Sequence, residues 1–273
     1  MILDAHVHFW DPSARRHAWL DAQPVLNRRF GPEDYDAGHH DVAGMLFVQA
    51  DCREEEALGE ARWVADLARG DPRLRGIVAY APVHLGAAVG EQLAALKEVA
   101  GVVGVRRLLQ DEPESALLDP ALAEGIRMLA AQRLTFDLCI RHRQIPAARR
   151  LVAACPDVTF VLDHLGKPPV AAGALDPWRD DLARLARHQN VVCKLSGLAT
   201  EAAPGWRAVD VRPFLRQALE LFAPQRCMIG SDWPVSTLAT TVEAWFDAVA
   251  DDLSPGERDA VLHETARSVY GLT

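Results

Sequence analysis

Ile2-Leu3-Asp4-Ala5-His6-Val7-His8-Phe9-Trp10 opens the chain, and its reading decides the fold. Ile2 and Leu3 lead into it, so it reads as a short apolar strand with a polar end. Side chains two apart on a strand share a face. His6 and His8 are therefore expected to point the same way, with Asp4 one step behind. Two imidazoles converging from a strand end make half of a metal or oxyanion site; an exposed polar face is the plainer alternative. The other half has to arrive from elsewhere in the chain. His164, in Val161-Leu162-Asp163-His164, and Asp232, in Met228-Ile229-Gly230-Ser231-Asp232, each close a short apolar run and are the candidates.

Downstream, a rhythm of strands and helices begins. Apolar runs at 44–50, 76–83, 101–106, 134–140, 158–164, 191–196 and 226–232 read as strands. Segments with helical spacing follow them at about 53–69, 87–99, 120–132, 146–155, 177–187, 211–221, 240–249 and 255–270. With the opening strand this makes eight βα units. Most of the strands are continuous apolar runs, as parallel strands covered on both faces by helices are. Eight units in roughly 250 residues are the pattern of a (β/α)8 TIM barrel. An α/β open sheet of the doubly wound kind predicts a glycine-rich nucleotide turn after the first strand, and His6-Val7-His8-Phe9-Trp10 stands there instead. The expectation is a single barrel domain over residues 1–273 with a long polar loop, about 9–40, after the first strand. A loop of that length in a compact domain is usually functional. Its Trp10 and Trp19 either wall a pocket or plug the rim.

Composition agrees with one large core: 49% of the 273 residues are hydrophobic and 25% charged. The net charge of -9, with no basic run, argues against a nucleic-acid partner. The five cysteines show no paired spacing and read as buried thiols in a reducing compartment. No basic region followed by an apolar stretch precedes the first motif, and no apolar run reaches the length of a membrane span. The expected setting is the cytoplasm, without a membrane or nucleic acid as partner.

In a TIM barrel all strand C-termini face one mouth, which carries the chemistry. Closure would seat strand eight beside strand one and bring Asp232 next to His6 and His8, with His164 arriving from strand six. Imidazoles and a carboxylate can hold zinc or a similar ion with one position open to water. Such residues suit hydrolysis, with Asp232 accepting the proton of the attacking water and returning it to the leaving oxygen. Without a metal, the histidines would serve as oxyanion donors.

The set Asp4-Ala5-His6-Val7-His8-Phe9-Trp10, Val105-Arg106-Arg107-Leu108-Leu109-Gln110, Asp163-His164-Leu165-Gly166-Lys167-Pro168, Cys193-Lys194-Leu195-Ser196-Gly197 and Gly230-Ser231-Asp232-Trp233-Pro234 resembles the amidohydrolase superfamily. Within it, the motifs are similar to those of the sugar lactonases that include L-fuconolactonase and L-rhamnono-1,4-lactonase. The resemblance runs from the first residues to the last helix. It implies a sugar lactone opened by water to the aldonate, with His6, His8, His164 and Asp232 at the centre. It also implies at most one divalent metal: Arg106 and Arg107 stand where two-metal members keep a lysine. His142 falls near a metal-binding histidine of other members. Fuconolactonase-like sequences often carry histidine at the Arg107 position.

The expectation is thus a lactonase with Asp232 and His164 catalytic and His6, His8, His164 and Asp232 as ligands of one metal, zinc being the candidate. Substrate contacts are expected from Arg106, Arg107, Gln110, Trp233, Gln49 and His142. One of the two arginines should point into the barrel. Lys194, inside an apolar strand, should face the mouth or meet a carboxylate such as Asp163. His17, His39, His40, His188 and His263 read as surface residues. The rival expectation on the same barrel is a zinc-dependent decarboxylase of an aromatic or unsaturated acid; a non-catalytic sugar-acid binder is the third.

Overall fold

The computed structural model describes residues 1–272. Eight strands lie in one parallel sheet in sequential order. They are β1 (Ile2–Val7), β2 (Val42–Val48), β3 (Leu74–Ala79), β4 (Val102–Arg106), β5 (Thr135–Leu138), β6 (Phe160–Leu162), β7 (Val191–Leu195) and β8 (Cys227–Ile229). The intervening helices are α1 (Ala57–Leu67), α2 (Gly90–Lys97), α3 (Pro120–Arg127), α4 (Ile145–Ala154), α5 (Trp178–Ala186), a short α6 (Leu198–Glu201), α7 (Ala208–Phe222) and α8 (Val242–Ala250). The sheet closes at the mouth end of its first and last strands. Val7 bridges Trp233 in parallel. The Asp232 amide donates to the His6 carbonyl at 2.8 Å, and the His8 amide to the Trp233 carbonyl at 2.7 Å. This is a (β/α)8 barrel, as the strand rhythm predicts.

Three local departures matter for the site. First, β6 and β8 end earlier than their apolar runs. His164, Leu165, Gly166 and Lys167 all take left-handed conformations, and so does Asp232. Such conformations cannot continue a strand, so His164 and Asp232 lie just past their strands on turns. Second, the pairing of β1 with β2 shifts register between Asp4 and Val7. Leu3 and Ala5 pack inside the barrel, yet His6 reaches inward as well. The strict alternation behind the Asp4 expectation therefore breaks at this irregularity. Asp4 belongs to the opposite face, where its carboxylate accepts from the Ser231 amide at 2.8 Å and the Tyr35 hydroxyl at 2.8 Å. Third, the segment expected as one final helix is divided into α9 (Pro255–Asp259), a wide turn at Ala260–Glu264 and α10 (Thr265–Val269).

An apolar cluster of Leu46, Val48, Val78, Val161, Val192 and Met228 fills the barrel and is plugged from the C-terminal segment by Ala266, Tyr270 and Leu272. Two residues beyond Val161 and Val192, toward the mouth, the lining turns charged. Lys194 meets Asp137 at 2.5 Å and Asp163 at 3.2 Å. Arg106 meets Asp163 at 3.2 Å, and the Tyr270 hydroxyl donates to Asp137 at 2.9 Å. All of these side chains are buried. Desolvating charges is costly unless each finds a partner, and here each does.

The long loop after β1 folds back on the rim rather than standing free. Trp10 is buried and plugs it, its indole N–H shared between the carbonyls of Leu26 and Arg28. His17, expected on the surface, is buried beneath Trp10 and stands 3.7 Å from the buried Glu60. The aromatic side chains of the loop draw His17 inward with them, and there its ring faces the buried Glu60 carboxylate. No helix among the described residues is long and apolar enough to cross a membrane.

Candidate active site at the barrel mouth

Three imidazoles reach one point from separate strand ends, and each is held by its other ring nitrogen. His8 Nδ1 lies 2.7 Å from the Val48 carbonyl. A carbonyl only accepts, so Nδ1 carries the proton and Nε2 presents its lone pair. His164 Nδ1 lies 2.9 Å from Ser196 Oγ, and His6 Nδ1 lies 3.4 Å from Asp163 Oδ1 and 3.3 Å from Lys194 Nζ. Two glycines make room for these rings. A Cβ at Gly230 would press on His6, and one at Gly197, where φ is +66°, would collide with the ring of His164.

The Nε2 atoms converge on Asp232. His6 Nε2 and His8 Nε2 are 3.2 Å apart. Asp232 Oδ1 stands 3.3 Å from His8 Nε2, 3.6 Å from His6 Nε2 and 4.0 Å from His164 Nε2. Burial pushes the His6 pKa well below its ordinary value, and the nearby Lys194 charge adds to this. Burial likewise brings His164 down to about 4. Burial opposes ionisation of Asp232, but the surrounding rings of His164, His8 and His6 outweigh it and hold the carboxyl well below the usual carboxylate range. Near pH 7 the site therefore presents neutral His6 and His164 rings beside a carboxylate.

This donor set fits one divalent metal ion. Ligands bonded at about 2.0–2.1 Å in a tetrahedron stand about 3.3 Å from one another. His6 Nε2, His8 Nε2 and Asp232 Oδ1 have that spacing, with a lone pair aimed inward from His8. Orientation of each ring through its far nitrogen is the usual support of a metal-binding histidine. No second metal is provided for at β4. Arg106 fills that place, donating to the Gln49 carbonyl at 2.5 Å and standing 3.4 Å from His6 Nε2.

Above the cluster opens a cavity of about 230 Å³. Of the residues singled out in the sequence, His8, His164, Asp232, Arg106 and Gln110 line it. Trp19 forms part of the wall, its indole N–H held by the Ala50 carbonyl. The remaining expected contacts lie elsewhere. Trp233 is buried among Phe9, Phe30 and Tyr35. Arg107 turns to Glu112 at 2.7 Å. Gln49 supports the Asp51 amide at 2.6 Å from beneath. His142 bonds the Lys167 carbonyl at 3.0 Å and braces the turn that carries His164. The sequence reading missed Lys167, Asp51, Asp111 and Cys139, which do line the cavity. Lys167 reaches it because four successive left-handed residues coil the chain back over the mouth, and its Nζ donates to Gln110 Oε1 at 2.5 Å. Its place three residues after His164 in the quoted motif was the one available signal.

A barrel with a His-His-His-Asp cluster at its mouth defines a hydrolase-type TIM-barrel site. The amidohydrolase family model matches residues 3–272, and the chain belongs to that family. It is 35% identical to the L-fucono-1,5-lactonase of Burkholderia multivorans over 99% of this chain and 96% of that one. The L-fucono-1,5-lactonase of Burkholderia ambifaria is 34% identical over 87% and 81% of the two chains. An amidohydrolase from Burkholderia multivorans, solved with bound zinc, superposes with a TM-score of 0.87 at 32% identity over the whole of both chains.

Proposed function

We propose that this protein hydrolyses a sugar lactone to its aldonate, with Asp232 as the general base. The observation that carries the reading is the Asp232 carboxylate held within 4.0 Å of three imidazole nitrogens at the floor of a cavity. Oδ1 faces the imidazoles, which leaves Oδ2 to take the proton of a water attacking the ring carbonyl. The carbonyl carbon gains the water oxygen, the bond to the ring oxygen breaks, and Asp232 returns the proton to that oxygen. The products are one carboxylate and one hydroxyl on the same chain, and the second proton of the water is released to solvent. A divalent ion, when bound by His6, His8 and Asp232, supplies a Lewis acid that polarises the carbonyl and acidifies water. His164, kept neutral and oriented by Ser196, stands beside the developing charge.

The walls support a small polyhydroxylated ring. Lys167, Gln110, Asp51 and Asp111 offer donors and acceptors to the cavity, and Leu108, Val235 and Trp19 add apolar lining. That mixture suits a deoxy-sugar lactone with a methyl group, as does the similarity to the two lactonases. The test is acid release from L-fucono-, L-rhamnono-, D-arabinono- and L-galactonolactone, followed with a pH indicator. Preferential opening of the methyl-bearing L-fucono-lactone is expected. No acid release from any of them would overturn the proposal.

A further inference from the structure

A second group of histidines and carboxylates lies at the opposite end of the barrel, beside Ile2 and Asp41 at the starts of β1 and β2. It joins the last turn of the long loop to helix α8. His40 Nε2 stands 3.0 Å from Asp247 Oδ1, and His39 Nε2 stands 3.4 Å from the same oxygen. The three atoms all lie within 4.8 Å of one another. The two ring centroids are 4.2 Å apart, with the planes tilted by 32°.

The group is held from behind. Glu243, one helical turn before Asp247, accepts from the His39 ring at Nδ1, 2.7 Å away, and from the His39 amide at 3.0 Å. With the Nδ1 proton given to Glu243, the His39 Nε2 lone pair points at the Asp247 carboxylate. In the neutral ring that lone pair and the Asp247 oxygen face one point, where a cation can take the place of a proton. Gly38 permits the approach: its φ is +60°, and a Cβ there would collide with the Glu243 carboxylate. The His40 ring is fixed edge-on against Phe246. Asp41 and Asp251 add negative charge to the lining of the adjoining hollow, opposed there by Arg258.

We propose that His39 Nε2, His40 Nε2 and Asp247 Oδ1 form a second, structural site for a divalent cation of the zinc type. Ligand separations of 3.0 and 3.4 Å match the spacing of about 3.3 Å that a tetrahedral ion with bonds of about 2.0–2.1 Å requires. Glu243 then takes the part of the carboxylate that orients a metal-binding histidine through its far nitrogen. Water completes the coordination from the solvent side. The ion would staple the end of the 8–41 loop to α8. Its place at the bottom of the barrel, away from the strand C-termini, assigns it to stability rather than to catalysis. The proposal is independent of the lactonase reading.

The test is zinc titration of the metal-stripped full chain against a chromophoric chelator, combined with thermal melting. Wild type is expected to take up two equivalents. The double variant His39→Asn/His40→Asn, and separately Asp247→Asn, should take up one and keep their lactone turnover. His8→Asn should also take up one equivalent and still gain melting temperature on adding zinc. The histidine double variant should lose most of the gain that His8→Asn retains. Uptake of the second equivalent by the double variant would overturn the proposal, as would a wild type whose stoichiometry is unchanged by either bottom-face variant. Failure of the mouth site alone would look different: His8→Asn would leave uptake unaltered while Asp247→Asn still abolished one equivalent.

Discussion

His8 Nδ1 and the Val48 carbonyl oxygen lie 2.7 Å apart across the seam between β1 and β2. The contact fixes which nitrogen of His8 carries the proton, and so turns the Nε2 lone pair toward His6 and Asp232. A backbone atom thereby sets the chemistry of the mouth.

His8→Asn removes that lone pair while keeping a polar side chain. Zinc affinity at the mouth should fall by at least about 10–100-fold, the range seen when even the outer support of a ligand is lost. Calorimetric titration of the stripped protein measures it. An unchanged affinity would remove His8 from the ligand set.

Lys194 stands between Asp137 and Asp163 with no exposure to solvent. Lys194→Met leaves two buried carboxylates without their shared cation. Breaking one side of a buried pair costs about 3–5 kcal/mol, so the urea midpoint should fall markedly with an unchanged slope. A midpoint equal to wild type would mean that the charged layer carries little of the stability.

Lys167 meets Gln110 over the cavity and is not part of the cluster at its floor. Lys167→Ala should raise KM by about 10-fold, a charge-assisted hydrogen bond being worth about 1.5–3 kcal/mol, with a smaller effect on kcat. Steady-state kinetics separate the two. A fall in kcat alone would assign the lysine to the chemical step instead.

Asp232 is held ionised well below the usual carboxylate range, and His164 is neutral down to about 4. As pH falls from 7 toward 5, neither group gains a proton. Turnover at saturating lactone should therefore stay flat over that interval, because the base remains charged and the imidazole uncharged. An acid limb centred near pH 6 in the kcat profile would show that a group with an ordinary histidine pKa controls the step.

Much of the fold is legible in the sequence because its signals are local. Continuous apolar runs followed by helical spacing recover all eight strands and the barrel order. The site residues that close those runs are legible for the same reason: strand C-termini gather at one mouth. What escapes is set by backbone irregularity and by loop packing. The register shift between Asp4 and Val7 leaves no mark in the alternation of residue types. The left-handed turn from His164 to Lys167 swings a lysine over the cavity from a motif that reads as strand and loop. Trp233 adjoins Asp232 in sequence, but the left-handed Asp232 turns it outward into an aromatic cluster. His17 shows the same limit, since only the folded loop reveals that it covers Glu60.

The central claim is that Asp232 moves the proton in lactone opening. The most direct measurement is the kcat of Asp232→Asn beside wild type on L-fucono-1,5-lactone, with both proteins loaded with zinc and checked for metal content. Loss of about 10²–10⁴-fold in kcat with zinc retained is the predicted result. Turnover within a few-fold of wild type, with the metal still bound, would contradict the account.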